Sequence, residues 1–98
     1  MEINELKKIS VETAKQRLNK LGVEYNEESY MLHLMEEIGE LSKQFVNKKL
    51  KRKEIDIKNI GEEIADCMIL LMNLGACYNI NIEKSILDKI EEIKNKVK

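Results

Sequence analysis

IGEEIADCMILLMNLGACY, residues Ile60 to Tyr78, decides the fold. From Ile64 onward it is apolar almost all the way round, the pattern of a buried helix. Asp66 interrupts that pattern near its start, one turn after Glu63. A carboxylate at the mouth of a buried helix is costly unless something pairs with it. A second helical stretch, Tyr30 to Phe45, offers the counterpart, because Glu36, Glu37 and Glu40 lie beside its own apolar stripe. Two helices, each carrying acids three residues apart, can meet at one cation.

Working outward, the 98 residues predict a single domain spanning residues 1–98. A chain of this size buries only about 65% of its unfolded surface, so association with a second copy, as a homodimer or homotetramer, would add stability. There is no proline and no tryptophan, charged residues make up 36% and hydrophobic ones 43%. Helix formers dominate that mix, and an all-α fold follows. The net charge of −1 leaves the molecule without the overall basic footprint of a nucleic-acid binder. The N-terminus has no signal-peptide pattern, and no apolar run is long enough to span a bilayer. Cys67 and Cys77 lie ten residues apart on one helix. Their backbones are therefore ~15 Å apart and cannot pair within the chain, which reads as reduced thiols in a cytoplasmic protein.

Four helices account for the chain. Ile3, Leu6, Val11, Ala14, Leu18 and Leu21 keep helical spacing, and Gly22 stops that first helix. Asn26 caps a second helix running to about Lys48, with Met31, Leu34, Met35, Ile38, Leu41 and Phe45 as its core stripe. On one flank of that stripe Tyr30, His33, Glu37, Glu40 and Gln44 follow one another at steps of three or four. Asn47 to Lys53 is a basic segment placed at a helix end or loop. The third helix starts between Glu54 and Lys58 and runs to Tyr78, with Asn59, Glu63, Asp66, Leu70 and Asn73 in line. Asn81 caps a fourth whose apolar face is Ile82, Ile86, Leu87, Ile90, Ile93 and Val97. Short connections make this an antiparallel four-helix bundle.

Acids three apart are common on solvated helix faces, and Glu36, Glu37 and Glu40 alone would read that way. The apolar residues after Glu63 and Asp66 leave no polar face for those two to share. Two carboxylates ~5 Å apart repel by ~3 kcal/mol at an effective dielectric of ~20, so a four-acid cluster needs protons, basic partners or a cation. Oxygen donors without a thiolate or imidazole set favour Mg²⁺ or Mn²⁺ over zinc. A carboxylate-held Mg²⁺ usually meets its substrate through phosphates, and it can activate a water.

Glu36-Glu37-Ile38-Gly39-Glu40-Leu41 followed by Glu63-Ile64-Ala65-Asp66 resembles the EExxE…ExxD signature of the all-α nucleoside triphosphate pyrophosphohydrolases, with wording closest to the MazG-like branch. The resemblance implies Mg²⁺ held by Glu37, Glu40, Glu63 and Asp66. It implies hydrolysis of a (deoxy)nucleoside triphosphate between the α and β phosphates, in house-cleaning of the nucleotide pool. Glu36 matches the first acid of the signature and is implied as a catalytic, water-orienting base. A phosphate-touching Lys-x-x-x-Asn-x-x-Arg pattern of the family falls on Lys89, Ile93 and Lys96: Lys89 agrees, Lys96 keeps the charge and Ile93 departs. The tryptophan that relatives carry soon after the first motif is Asn47 here. The rival readings are a phosphoribosyl-ATP pyrophosphatase-like enzyme and a non-catalytic helical interaction module.

Other residues keep two readings. His33 either packs on the helix surface or contacts a ligand, and Phe45 either ends the core stripe or stacks on a base. The methionines read as core or interface packing. Lys48 to Lys53 either binds a triphosphate or is a solvated loop without a function, and the second reading is favoured. Asn73, an amide on an apolar helix, either bonds across a subunit interface or reaches a nucleotide.

Overall fold

A computed structural model describes residues 1–51 and 54–97. Among these residues the chain is four helices without a strand: α1 Ile3–Leu21, α2 Glu27–Lys51, α3 Ile57–Cys77 and α4 Ile82–Val97. The fold class is all-α, as the composition predicts. Helix α2 runs three residues beyond Lys48, so the basic segment to Lys51 is helical, its cations facing the helix C-terminus favourably. Arg52 and Lys53 lie outside the described residues.

The helix ends follow from local chemistry. Gly22 closes α1 in the left-handed region (φ 68°), its N–H donating to Asn19, while Val23 N–H donates to Leu18 at 3.0 Å. Asn26 Oδ1 accepts from Ser29 N–H at 2.9 Å to open α2, and Asp56 Oδ1 accepts from Asn59 N–H at 3.2 Å to open α3. Asn79 (φ 55°) turns the chain after α3, and Asn81 Oδ1 accepts from Lys84 N–H at 3.1 Å to start α4. Gly75 lets Ile82 lie against the end of α3, where an added Cβ would stand 2.5 Å from Ile82 Cδ1.

Helices α2 and α3 make the principal pair, α1 packs across α3, and α4 packs on α1. Gln44 clasps the base of the α2–α3 pair, donating to Asn59 Oδ1 and accepting from Asp56 N–H. At the other end Lys7 Nζ donates to Ile80 O at 2.7 Å and Asn4 Nδ2 to Asn81 Oδ1 at 3.1 Å, tying α1 to the start of α4.

The interior is smaller than the sequence pattern implies. Among the described residues only Leu34, Leu70 and Met72 are buried apolar side chains, and Ser10 and Asn73 are buried polar ones. Met31, Met35, Ile38 and Phe45 of the expected α2 stripe are exposed, as are Ile64, Met68, Ile69 and Leu71 of α3. The apolar face of α4 is largely open, with Ile86, Leu87, Ile90, Ile93 and Val97 exposed. The reason is geometric: α3 meets α2 and α1 on part of its circumference, and the other described residues leave much of the remainder open. The radius of gyration is 16.2 Å, against about 12.6 Å for a compact chain of this length. The accessible surface is 7995 Å², against about 5,800 Å² for a compact monomer of this mass.

Candidate metal centre

The pairing of α2 with α3 brings Glu37 to Glu63 and Asp66. One carboxylate oxygen from each lies within 4.8 Å of the others. Glu63 and Asp66 stand three apart on α3, so they present side by side, and Glu37 faces them from the flank of α2. Glu37 and Glu63 are half-buried and Asp66 is exposed. The cluster therefore sits at the edge of the helix pair, open on one side.

Its electrostatics are those of an unsatisfied anion site. Contact with the Glu37 carboxylate, then burial, then the charges of Glu37, Asp66 and Glu40 raise the Glu63 pKa above its ordinary value of 4.5. Glu63 Oε2 is buried with no hydrogen-bond partner. Burial, followed by the charges of Glu37, Glu63 and Asp66, also pushes the Cys67 thiol up and keeps it neutral. The available donors are thus carboxylate oxygens with an orphaned lone pair and no thiolate, a set that fits a hard divalent cation.

The other sequence-derived residues are arranged around this group. Glu40 lies one turn along α2, its Oε1 held by Lys43 Nζ at 2.9 Å. That pair is exposed and of the weak surface kind, and a change of side-chain rotamer would release it. Glu36 is exposed on α2, outside the three-carboxylate group. Lys89 and Lys96 both pair with Glu92 on α4, at 3.0 and 3.3 Å, on a helix that packs against α1. The chain therefore brings together three of the four implied ligands and leaves both lysines on a separate helix.

Two neighbours were less legible. His33 Nε2 lies 3.4 Å from Glu37 Oε1, and its Nδ1 is buried without a partner. Tyr25, in the α1–α2 connection, sets its ring edge-on to His33 at 6.0 Å and to Tyr30 at 5.2 Å. The i to i+4 spacing announces the histidine contact, but no periodicity reaches Tyr25, because it precedes the helix.

A family model for the MazG nucleotide pyrophosphohydrolase domain matches residues 25–98. The chain belongs to the MazG family. No curated protein and no solved structure matches it. The MazG match spans α2, α3 and α4, and so includes every carboxylate of the cluster. It gives the chain its general activity, nucleotide pyrophosphohydrolysis, in a family that is typically metal-dependent. Helix α1 lies before the matched residues. Among the described residues, no helix is long and apolar enough to cross a membrane.

Proposed function

We propose that this MazG domain is a Mg²⁺-dependent hydrolase that cleaves a (deoxy)nucleoside triphosphate to the monophosphate and pyrophosphate, in house-cleaning of the nucleotide pool. The observation that carries the reading is the convergence of Glu37, Glu63 and Asp66 within 4.8 Å on two facing helices, within the family match. In this reading those three and Glu40, once freed from Lys43, hold the ion, with Mn²⁺ as an alternative occupant. The bound ion would polarise a phosphoryl oxygen and lower the pKa of a water. Water oxygen bonds to the α-phosphorus, the bond from that phosphorus to the bridging oxygen breaks, and pyrophosphate leaves with the electron pair. In this reading Glu36, exposed on α2, takes the proton from the attacking water.

The whole chain, residues 1–98, acts as one domain, because α1 packs on α3 and ties down the start of α4. It works as a homo-oligomer. The accessible surface of 7995 Å² exceeds that of a compact monomer by roughly 2,000 Å², the scale of surface a stable interface removes from water. A shallow apolar cleft of about 640 Å³, bordered by Met31, Leu71, Leu74 and Tyr78, continues that open surface. Lys89 and Lys96 contact the phosphates of a site on a second copy, since their own helix packs on α1. The free thiols Cys67 and Cys77 accord with a cytoplasmic location.

The test is pyrophosphate release from a panel of ribo- and deoxyribonucleoside triphosphates, with and without Mg²⁺, for the wild type and Asp66→Ala. Metal-dependent release that disappears in the variant is expected. Undiminished release from Asp66→Ala would overturn the ligand assignment.

A further inference from the structure

Asn73 is buried, only 3% exposed, yet it is an amide on an otherwise apolar turn. Its Nδ2 donates to the Ile69 carbonyl one turn back, at 2.9 Å. A carbonyl can only accept, so this bond fixes which way the amide faces. Oδ1 accepts no hydrogen bond among the described residues and is not fully closed off from solvent.

Asn73 borders a cleft of about 370 Å³ between α1, the α1–α2 connection and the far end of the α2–α3 pair. Tyr25, Tyr30, Lys15 and Asn19 line it with Asn73. Its volume is within the range of small-molecule sites, and a few polar groups among aromatic walls is their usual make-up. Burial, then the neighbouring Cys77 and Tyr25, raise the Tyr30 pKa, so its ring carries a neutral hydroxyl.

The cleft is placed in register with the acids. Tyr30 precedes Glu37 by seven residues on α2, and Asn73 follows Asp66 by seven on α3. In both cases this is two turns, ~10 Å of rise along the same seam. Tyr25 bridges the interval, lining the cleft while its ring stands 6.0 Å from that of His33, which lies 3.4 Å from Glu37.

The geometry points to this cleft as the nucleobase site of the chain, with Asn73 Oδ1 accepting a hydrogen bond from an amino or imino N–H on the base edge and Tyr25 and Tyr30 supplying the stacking wall. The inference rests on the hydrolase reading, and it adds where the base lies and what reads it. Base stacking on an aromatic ring is sequence-tolerant, whereas a single fixed acceptor selects for a donor at one position of the base edge. Much of the lining, Lys15 and Asn19 included, comes from α1, outside the family match. The residues that read the base, Tyr25, Tyr30 and Asn73, lie inside the match, and α1 closes the cleft beside them.

The test titrates the full-length protein with the nucleoside 5′-monophosphates and, separately, with inorganic tripolyphosphate, following the Asn73 side-chain amide and the Tyr25 and Tyr30 ring resonances by NMR. At least one monophosphate should move all three, and tripolyphosphate should move none. Asn73→Leu removes the acceptor but strands no partner, since the Ile69 carbonyl keeps its helix bond, so the variant should fold and melt no lower than wild type. It should weaken that monophosphate, and raise KM for the matching triphosphate, about tenfold, the worth of one hydrogen bond. Calorimetric Mg²⁺ binding should be unchanged. Tyr25→Leu should weaken the same nucleotide by about tenfold or more. Resonances that stay still, or an Asn73→Leu protein with wild-type nucleotide affinity, would overturn the assignment. Should no triphosphate be hydrolysed while monophosphates still shift these resonances, the hydrolase reading would fail and the base site would stand.

Discussion

Two regions of this molecule hold like groups together without satisfying them. Along the α2–α3 seam, Glu37, Glu63 and Asp66 gather negative charge and leave Glu63 Oε2 buried without a partner. Along α4, Ile86, Leu87, Ile90 and Ile93 lie open to water. Among the described residues Glu63 and Asp66 have no basic partner, and a single small ion can supply the missing charge at one point. The α4 face lacks contact area, which only a surface of comparable size can supply. Removing the offending groups should therefore act oppositely on the two regions: fewer acids should firm the metal-free fold, and fewer isoleucines should loosen the assembly.

Glu63→Gln is the sharpest way to break that comparison. Nucleotide turnover should fall roughly 100-fold or more, beyond the 10–100-fold typical of losing an outer-shell partner of a metal site. The same variant should melt higher than wild type without metal, because the amide ends the repulsion, and should lose the stabilisation that Mg²⁺ gives the wild type. A drop in metal-free melting temperature would mean that the acids already hold one another through a shared proton or a basic partner. On α4, Ile86→Glu combined with Ile90→Glu should weaken self-association by roughly 100-fold or more, given about 1.5–3 kcal/mol for each buried isoleucine. Sedimentation would read this as a shift to monomer, with helix content retained by circular dichroism. A wild type that sediments only as a monomer would remove the need for a second copy.

The pH dependence sharpens the same contrast. The Glu63 pKa is raised above 4.5 in the folded state. The folded protein thus holds that proton more tightly than the unfolded chain does. Its contribution to stability is complete below the unfolded value and is lost as pH rises through the folded one. Without metal, melting temperature should decline as pH rises above about 4.5, and saturating Mg²⁺ should remove the decline. The smallest effect belongs to Lys89, which is exposed and paired with Glu92. Lys89→Ala should raise KM severalfold with kcat kept in the assembled protein, and leave KM unchanged in the Ile86→Glu, Ile90→Glu background. An equal effect in both backgrounds would place the lysine at its own protomer's site.

Much of this molecule was legible along the chain because its signals are local. Gly22, Asn26 and Asn81 mark helix ends by bonds that span at most four residues. The steps of three between Glu37 and Glu40 and between Glu63 and Asp66 put each pair on one helix face before any packing is known. The α2 stripe misled for a related reason. Met31, Met35, Ile38 and Phe45 have the spacing of a buried face, but periodicity specifies a face and not what covers it.

The sequence by itself determined four helices, their boundaries to within a few residues, and two acid pairs, because backbone hydrogen bonding and 3.6-residue periodicity are properties of neighbouring residues. Only the tertiary structure decided which carboxylates meet. Docking α2 on α3 brought Glu37 to Glu63 and Asp66, while Glu40 turned to Lys43 and α4, packed on α1, kept Lys89 and Lys96 with Glu92. It also decided that Asn73 and Tyr25, 48 residues apart, share one cleft. Contacts of that kind depend on where helix axes cross, which the pattern along any one helix does not contain.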